Sequence, residues 1–111
     1  MKIQQKDLVL LPYPFSNLSG KKIRPALIVS NDNFNRLSYD CIAIPLTSVL
    51  KEGHFSIAIT QKEMRNGKLI KPSEIRIDKI FSVEKRLVRL KIGSVTDFFF
   101  DKLKSELLDI F

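Results

Sequence analysis

A single cysteine, a single histidine and no tryptophan deprive this 111-residue sequence of several chemistries. Cys41 has no partner for an internal disulfide and cannot assemble a zinc knuckle. Its neighbours Ile42, Ala43 and Ile44 make it read as an ordinary core or strand thiol. His54 is the only histidine, so a two-histidine acid–base pair is impossible within one subunit. Between Gly53 and Phe55 it reads as a solvated loop residue. The glycine-rich P-loop and the dinucleotide fingerprint are both missing, which leaves nucleotide-triphosphate and dinucleotide chemistry without support. No His, Cys and carboxylate cluster has metal-ligand spacing, and no cofactor is expected. The apolar run at residues 8–11 is short and is followed by Pro12 and Pro14, unlike a signal peptide. No stretch approaches the roughly 20 apolar residues that span a bilayer. A cytoplasmic protein with no membrane role is expected.

What the sequence does have is positive charge. Nineteen Lys and Arg against 12 Asp and Glu give a net charge of +7. That balance favours polyanions such as RNA, DNA, an acidic peptide or an anionic membrane surface, the alternative being a basic protein whose charge serves solubility alone. The basic residues are distributed through the chain, which points to binding on a folded surface. Hydrophobic content of 44% and charged content of 28% are those of an ordinary globular protein. The length suits one domain spanning residues 1–111.

Short strands dominate the pattern. Apolar runs predict strands over residues 8–11, 23–29 and 41–46, the second central and buried on both faces. A polar loop covers residues 16–22, and Asn31-Asp32-Asn33 breaks the second strand. Further strands are expected at residues 55–60, 73–78 and 87–92, with a turn at Asn66-Gly67 and a short strand at Leu69-Ile70. Thr96 is the expected N-cap of a terminal helix, with Asp97 in its first turn. Phe99, Leu103, Leu107 and Ile110 form its apolar stripe, widened by Phe100 and Leu108. The expected fold is mainly β with a C-terminal helix, a small antiparallel barrel.

Two strand ends carry polar groups suited to a phosphodiester. Arg24 stands at the entry of the second strand and Thr47 at the exit of the third. A guanidinium fork matches two phosphate oxygens, and a hydroxyl can bond another. Arg76 and Asp78, two apart in the strand expected at 73–78, should emerge on one face, as a catalytic pair or as a plain surface ion pair, just as Arg24 alone could be a strand-edge charge and Thr47 a turn residue. RNA supplies its own nucleophile, the 2′-OH, so a base, an acid and charge stabilisation are sufficient for its cleavage. Asp78 suits the base, held ionised by Arg76. Arg24 would stabilise the developing charge, and Thr47 would bond a non-bridging oxygen. An Arg proton donor is awkward because its pKa exceeds about 12. Products would be a 2′,3′-cyclic phosphate and a 5′-OH.

The segments Asp7-Leu8-Val9-Leu10, Ile23-Arg24-Pro25-Ala26-Leu27-Ile28-Val29-Ser30, Ile44-Pro45-Leu46-Thr47-Ser48 and Glu74-Ile75-Arg76-Ile77-Asp78 together resemble the MazF/PemK family of toxin endoribonucleases. The resemblance covers essentially the whole chain. It implies a homodimer of SH3-like barrels of the MazF/PemK/CcdB type that cleaves single-stranded RNA without a metal. It also implies a cognate antitoxin whose extended acidic segment occupies the RNA groove. By resemblance, Arg24 and Thr47 fall on the family's active-site Arg and Thr, and Arg76 and Asp78 on the Arg–Asp pair of the Kid branch. Ser16, Asn17, Ser19, Lys21, Lys22 and Ser48 are candidate RNA contacts. Two departures stand out. Lys6 occupies the position where the family usually has glycine, and the loop before Arg24 lacks the family's Gly-Ser-Glu-Gln pattern. The alternatives are a non-catalytic barrel of this fold that binds RNA or a protein, and a CcdB-like gyrase poison. The lack of tryptophan argues against the latter.

Overall fold

The computed structural model describes residues 1–13, 22–48 and 55–111. Among them, eight strands curl into an antiparallel half-barrel that carries a C-terminal helix. The strands are β1 (Asp7–Pro12), β2 (Ile23–Ile28), β3 (Asp40–Thr47), β4 (Ser56–Ile59), β5 (Met64–Gly67), β6 (Ser73–Arg76), β7 (Phe81–Glu84) and β8 (Leu90–Val95). Their order is β4-β6-β3-β2-β1-β8-β5, and β7 also pairs with β3. The helices are α1 (Asp32–Leu37) and α2 (Asp97–Leu108).

Strand alternation divides the interior into two layers. Leu8, Leu27, Ile44, Leu46 and Ile75 share one cluster with Phe99, Phe100 and Leu103 of α2. Val9, Leu11, Ala26, Ile28, Cys41 and Ala43 share the other with Phe81, Val83 and Val88. Each large apolar side chain removed from water contributes roughly 1.5–3 kcal/mol. As expected, β2 is central and supplies both layers, although its first residues Ile23 and Arg24 are exposed. Cys41 is fully buried, and burial pushes its thiol up to about 11, so it is an inert core residue at neutral pH. Thr96 caps α2 as predicted, accepting the Phe99 amide at 3.2 Å. The helix stops at Leu108, so the apolar stripe ends at Leu107, and Leu108 and Ile110 are exposed.

Several expectations need correction. Asn31 does end the β2 run, but its side chain accepts the Phe34 amide and so starts α1, a helix too short to show a period in sequence. Asn66 and Gly67 close β5 against Ser94 and Gly93, where a turn was expected. Leu69 and Ile70 form no strand. The strand expected at residues 87–92 is displaced: Lys85–Leu87 is a 3-10 turn, and β8 runs through Gly93 to Val95. The strand expected at residues 73–78 ends at Arg76, and Ile77–Lys79 is a 3-10 turn leading into β7.

Lys6 has a left-handed backbone, with φ of 78°. That conformation costs an L-residue roughly 1–2 kcal/mol and explains why glycine suits the position. The Lys6 side chain compensates, with Nζ 3.0 Å from Asp97 Oδ1 and 5.6 Å above the Phe100 ring. Lys6→Ala and Lys6→Gly both delete these side-chain interactions, so their difference isolates the backbone. Thermal denaturation should place the glycine variant above the alanine variant by about 4–8 °C. Equal melting temperatures would show that the backbone at position 6 is unstrained.

Candidate functional site

The site begins where β2 and β3 part. Their ladder pairs Ile28 with Ala43, Leu27 with Ile44 and Ala26 with Pro45, then stops. Pro25 and Pro45 have no amide hydrogen, so the strands lose donors where they would otherwise keep zipping. The Tyr13 hydroxyl takes over: it bonds the Pro25 carbonyl, and it lies 2.8 Å from both the amide nitrogen and the carbonyl oxygen of Leu46. A buried phenol thus clamps the residues next to Arg24 and Thr47. Burial raises the Tyr13 pKa, against smaller opposing contributions from its bond to Leu46 and from the Arg24 charge. It therefore stays protonated and acts as a clamp at any physiological pH. Its ring also packs edge-on to Phe81, with centroids 6.0 Å apart.

Tyr13→Phe keeps that ring and deletes only the clamp. The Leu46 amide would then lack its bond in the interior, and urea unfolding should show a loss of about 1–3 kcal/mol. Unchanged stability would mean that the fork holds itself together.

On leaving β2, β3 pairs with β6, which sets Leu46 against Ile75 and Thr47 against Glu74. Farther back, Ala43 faces Phe81 of β7. Six residues separate Ile75 from Phe81 (81 − 75), but only three separate their partners on β3 (46 − 43). The surplus three residues are looped out as the 3-10 turn Ile77–Lys79. Such an interruption re-aims side chains at a strand end. Here it turns Asp78 back toward Arg76. Arg76 Nε donates to Asp78 Oδ1 at 3.1 Å and Nη2 to Oδ2 at 3.0 Å. This bidentate pair holds the Asp78 carboxyl below its ordinary range and raises the Arg76 pKa.

Alternation fixes which face each group shares. Leu27, Leu46 and Ile75 point into the α2 layer. Arg24, Thr47, Glu74 and Arg76 therefore belong to the opposite face of the sheet. Ser56, directly across from Arg76 on β4, joins them and donates to Glu74 Oε2 at 3.1 Å. Among the described residues Arg24 forms no ion pair. Arg24 and Ser48 also line a groove of about 190 Å³ at the fork, but the strand residues Pro25, Leu46 and Ser73 beside them belong by the same alternation to the α2 face.

The structure thus joins Arg76 to Asp78 directly, puts Arg24 and Thr47 on that same sheet face, and places Ser48 in the Arg24 groove. Lys22 is exposed just before β2. Ser16, Asn17, Ser19, Lys21 and His54 lie outside the described residues. Three polar residues of the neighbourhood were not singled out from sequence: Tyr13, Ser56 and Glu74. Glu74 was legible as a same-face neighbour of Arg76. Tyr13 had one signal, a pair of prolines in adjacent strands that leave ladder positions to be filled.

The model of the PemK-like, MazF-like toxins of type II toxin–antitoxin systems matches residues 4–111, and the chain belongs to that family. No curated protein matches the sequence. Among solved structures, the chain is similar to one from the MazE–MazF complex of Deinococcus radiodurans, at 20% identity and a TM-score of 0.80, over 99% of this chain and 96% of that one. It is similar to an endoribonuclease in complex with its cognate antitoxin from a mycobacterial species, at 20% identity and a TM-score of 0.75, over 96% and 92%. The Mycobacterium tuberculosis toxin MazF-mt6 shares 14% identity and a TM-score of 0.73, over 93% of each chain. At these identities the likeness is one of fold.

Proposed function

We propose that this toxin is a metal-independent endoribonuclease that cuts single-stranded RNA by internal transesterification, leaving a 2′,3′-cyclic phosphate and a 5′-OH. The observation that carries the reading is the Arg76–Asp78 pair, held on a looped-out turn beside the Thr47–Glu74 rung and on the sheet face of Arg24. A carboxylate kept ionised, a guanidinium with no ion-pair partner among the described residues and a strand-end hydroxyl supply the base, the charge stabilisation and the phosphate contact that this chemistry uses. Asp78 takes the 2′-OH proton, Arg24 stabilises the phosphorane charge, Thr47 bonds a non-bridging oxygen, and water protonates the 5′-oxygen as its bond to phosphorus breaks. Lys22, Ser48 and the loop residues Ser16, Asn17, Ser19 and Lys21 hold the flanking nucleotides. The solved relatives described as endoribonucleases and as antitoxin complexes support the same reading.

The 111 residues act as one toxin domain, working as a cytoplasmic homodimer restrained by an antitoxin with an extended acidic segment. No described helix is long and apolar enough to cross a membrane. The deciding experiment incubates purified protein with a long single-stranded RNA in excess EDTA and maps the new ends chemically. Cyclic phosphate and 5′-OH ends are expected. Intact RNA, or 5′-phosphate ends, would reject the mechanism.

A further inference from the structure

A second basic feature lies at the other end of β3, away from Thr47. A cleft of about 460 Å³ opens between α1, the residues preceding β1 and the 3-10 turn Lys85–Leu87. Lys2, Arg36, Lys85 and Arg86 line it, over an apolar floor that includes Ile3 and Val88. One carboxylate, Asp32, reaches the cleft, and its Oδ1 accepts the Gln5 amide at 2.8 Å.

The cations are only partly engaged. Arg86 Nε meets Glu84 at 2.5 Å, leaving the outer edge of its guanidinium available. Lys85 Nζ donates to the Asn35 carbonyl at 2.6 Å, and Arg36 Nη2 to Asn33 Oδ1 at 2.5 Å, both neutral acceptors. Among the described residues Lys2 makes no ion pair. Asp32 and the Glu84 paired with Arg86 offset part of the four positive charges, and the concavity stays net positive, which favours an anion. Two guanidinium forks and two ammonium groups match the oxygens of a phosphate. The apolar floor matches the face of a sugar or base.

We propose that this cleft is a second phosphate-binding station for the RNA strand, holding nucleotides remote from the cut. The proposal rests on the reading of the chain as an RNA-binding toxin. β3 has eight residues, so its two ends stand about 23 Å apart at 3.3 Å per residue. A strand that engages both stations must therefore extend well beyond the cleaved linkage. Short RNAs meet the Arg24 face alone, and long RNAs gain the cleft by effective concentration.

The test measures binding of wild type and the double variant Arg36→Ala/Arg86→Ala to uncleavable 2′-O-methyl RNAs. Both arginines are exposed, so the fold should survive, and a matching melting curve verifies this. Fluorescence anisotropy with an RNA of about 30 nucleotides should show about a tenfold loss of affinity, while one of about six nucleotides binds as before. The slope of log affinity against log salt on the long RNA should fall by about 1.4, roughly 0.7 for each phosphate that is no longer neutralised. Equal loss on both lengths, or no loss on either, overturns the cleft. So does a loss seen with an acidic peptide but not with RNA, which would assign it to a protein partner. Wild type that binds the long 2′-O-methyl RNA more tightly than the short one, but never cleaves unmodified RNA of the same sequence, would reject the nuclease reading and leave the cleft standing. Wild type that binds no RNA overturns both.

Discussion

Arg24→Ala should slow RNA cleavage on the order of 100- to 1000-fold while leaving the melting temperature essentially unchanged. The first half follows from charge. As the 2′-oxygen attacks, negative charge grows on the phosphorane oxygens, and a fixed guanidinium stabilises that state more than the ground state. The second half follows from placement. Arg24 is exposed at the entry of β2, pairs with no carboxylate among the described residues, and contributes nothing to either apolar cluster. Its backbone partner Leu11 is unaffected by the side chain. Arg24→Lys keeps the charge but loses the fork, and should recover only part of the rate. Single-turnover cleavage of a long RNA, run beside thermal denaturation, reads both halves at once. A variant that cleaves at the wild-type rate removes Arg24 from the mechanism. One that melts far below wild type would show the arginine to be structural.

The parts of this molecule that local sequence can encode were legible, and those that depend on pairing were not. Thr96 announces α2 because an N-cap and a helical stripe lie within one short window. β2 is legible because a run buried on both faces needs only consecutive apolar residues. α1 was hidden because Asn31 serves equally well to end a strand and to cap a helix, and six residues are too few to show a period. The strand expected at residues 73–78 overran β6, and β7 was not read at all, because the three extra residues become visible only when both strands are aligned against β3. The same bulge means that Arg76 and Asp78 meet for a different reason than the one alternation suggests. They share a face because a turn folds Asp78 back, not because both sit in a pleat. The Tyr13 clamp spans 33 residues to Leu46, a separation that no local pattern reports.

Asp78→Asn carries the other large effect. Replacing the carboxylate with an amide keeps the shape and one acceptor but removes the base, for an expected loss of about 100- to 10,000-fold. The pH dependence should identify the group. Arg76 holds the Asp78 pKa below the ordinary carboxylate value, so Asp78 stays ionised on descending from neutral pH through the range where an ordinary carboxylate titrates. Wild-type cleavage should therefore show no acidic limb near pH 6. Arg76→Ala deletes both hydrogen bonds, letting the Asp78 pKa rise toward its ordinary value, and the acidic limb should move up with it. The sign for stability is parallel. A depressed folded-state pKa stabilises the fold above the unfolded-state value and loses that contribution as pH falls through the folded one. Both partners are more than a third or close to a third exposed, so solvent screening keeps this contribution small. A rate that collapses while stability stays level is thus the signature of a base, and an ion pair that merely braces the turn would not produce it. If Asp78→Asn retains the wild-type rate and pH profile, the proton goes elsewhere, and Glu74, across the rung from Thr47, becomes the next carboxylate to replace.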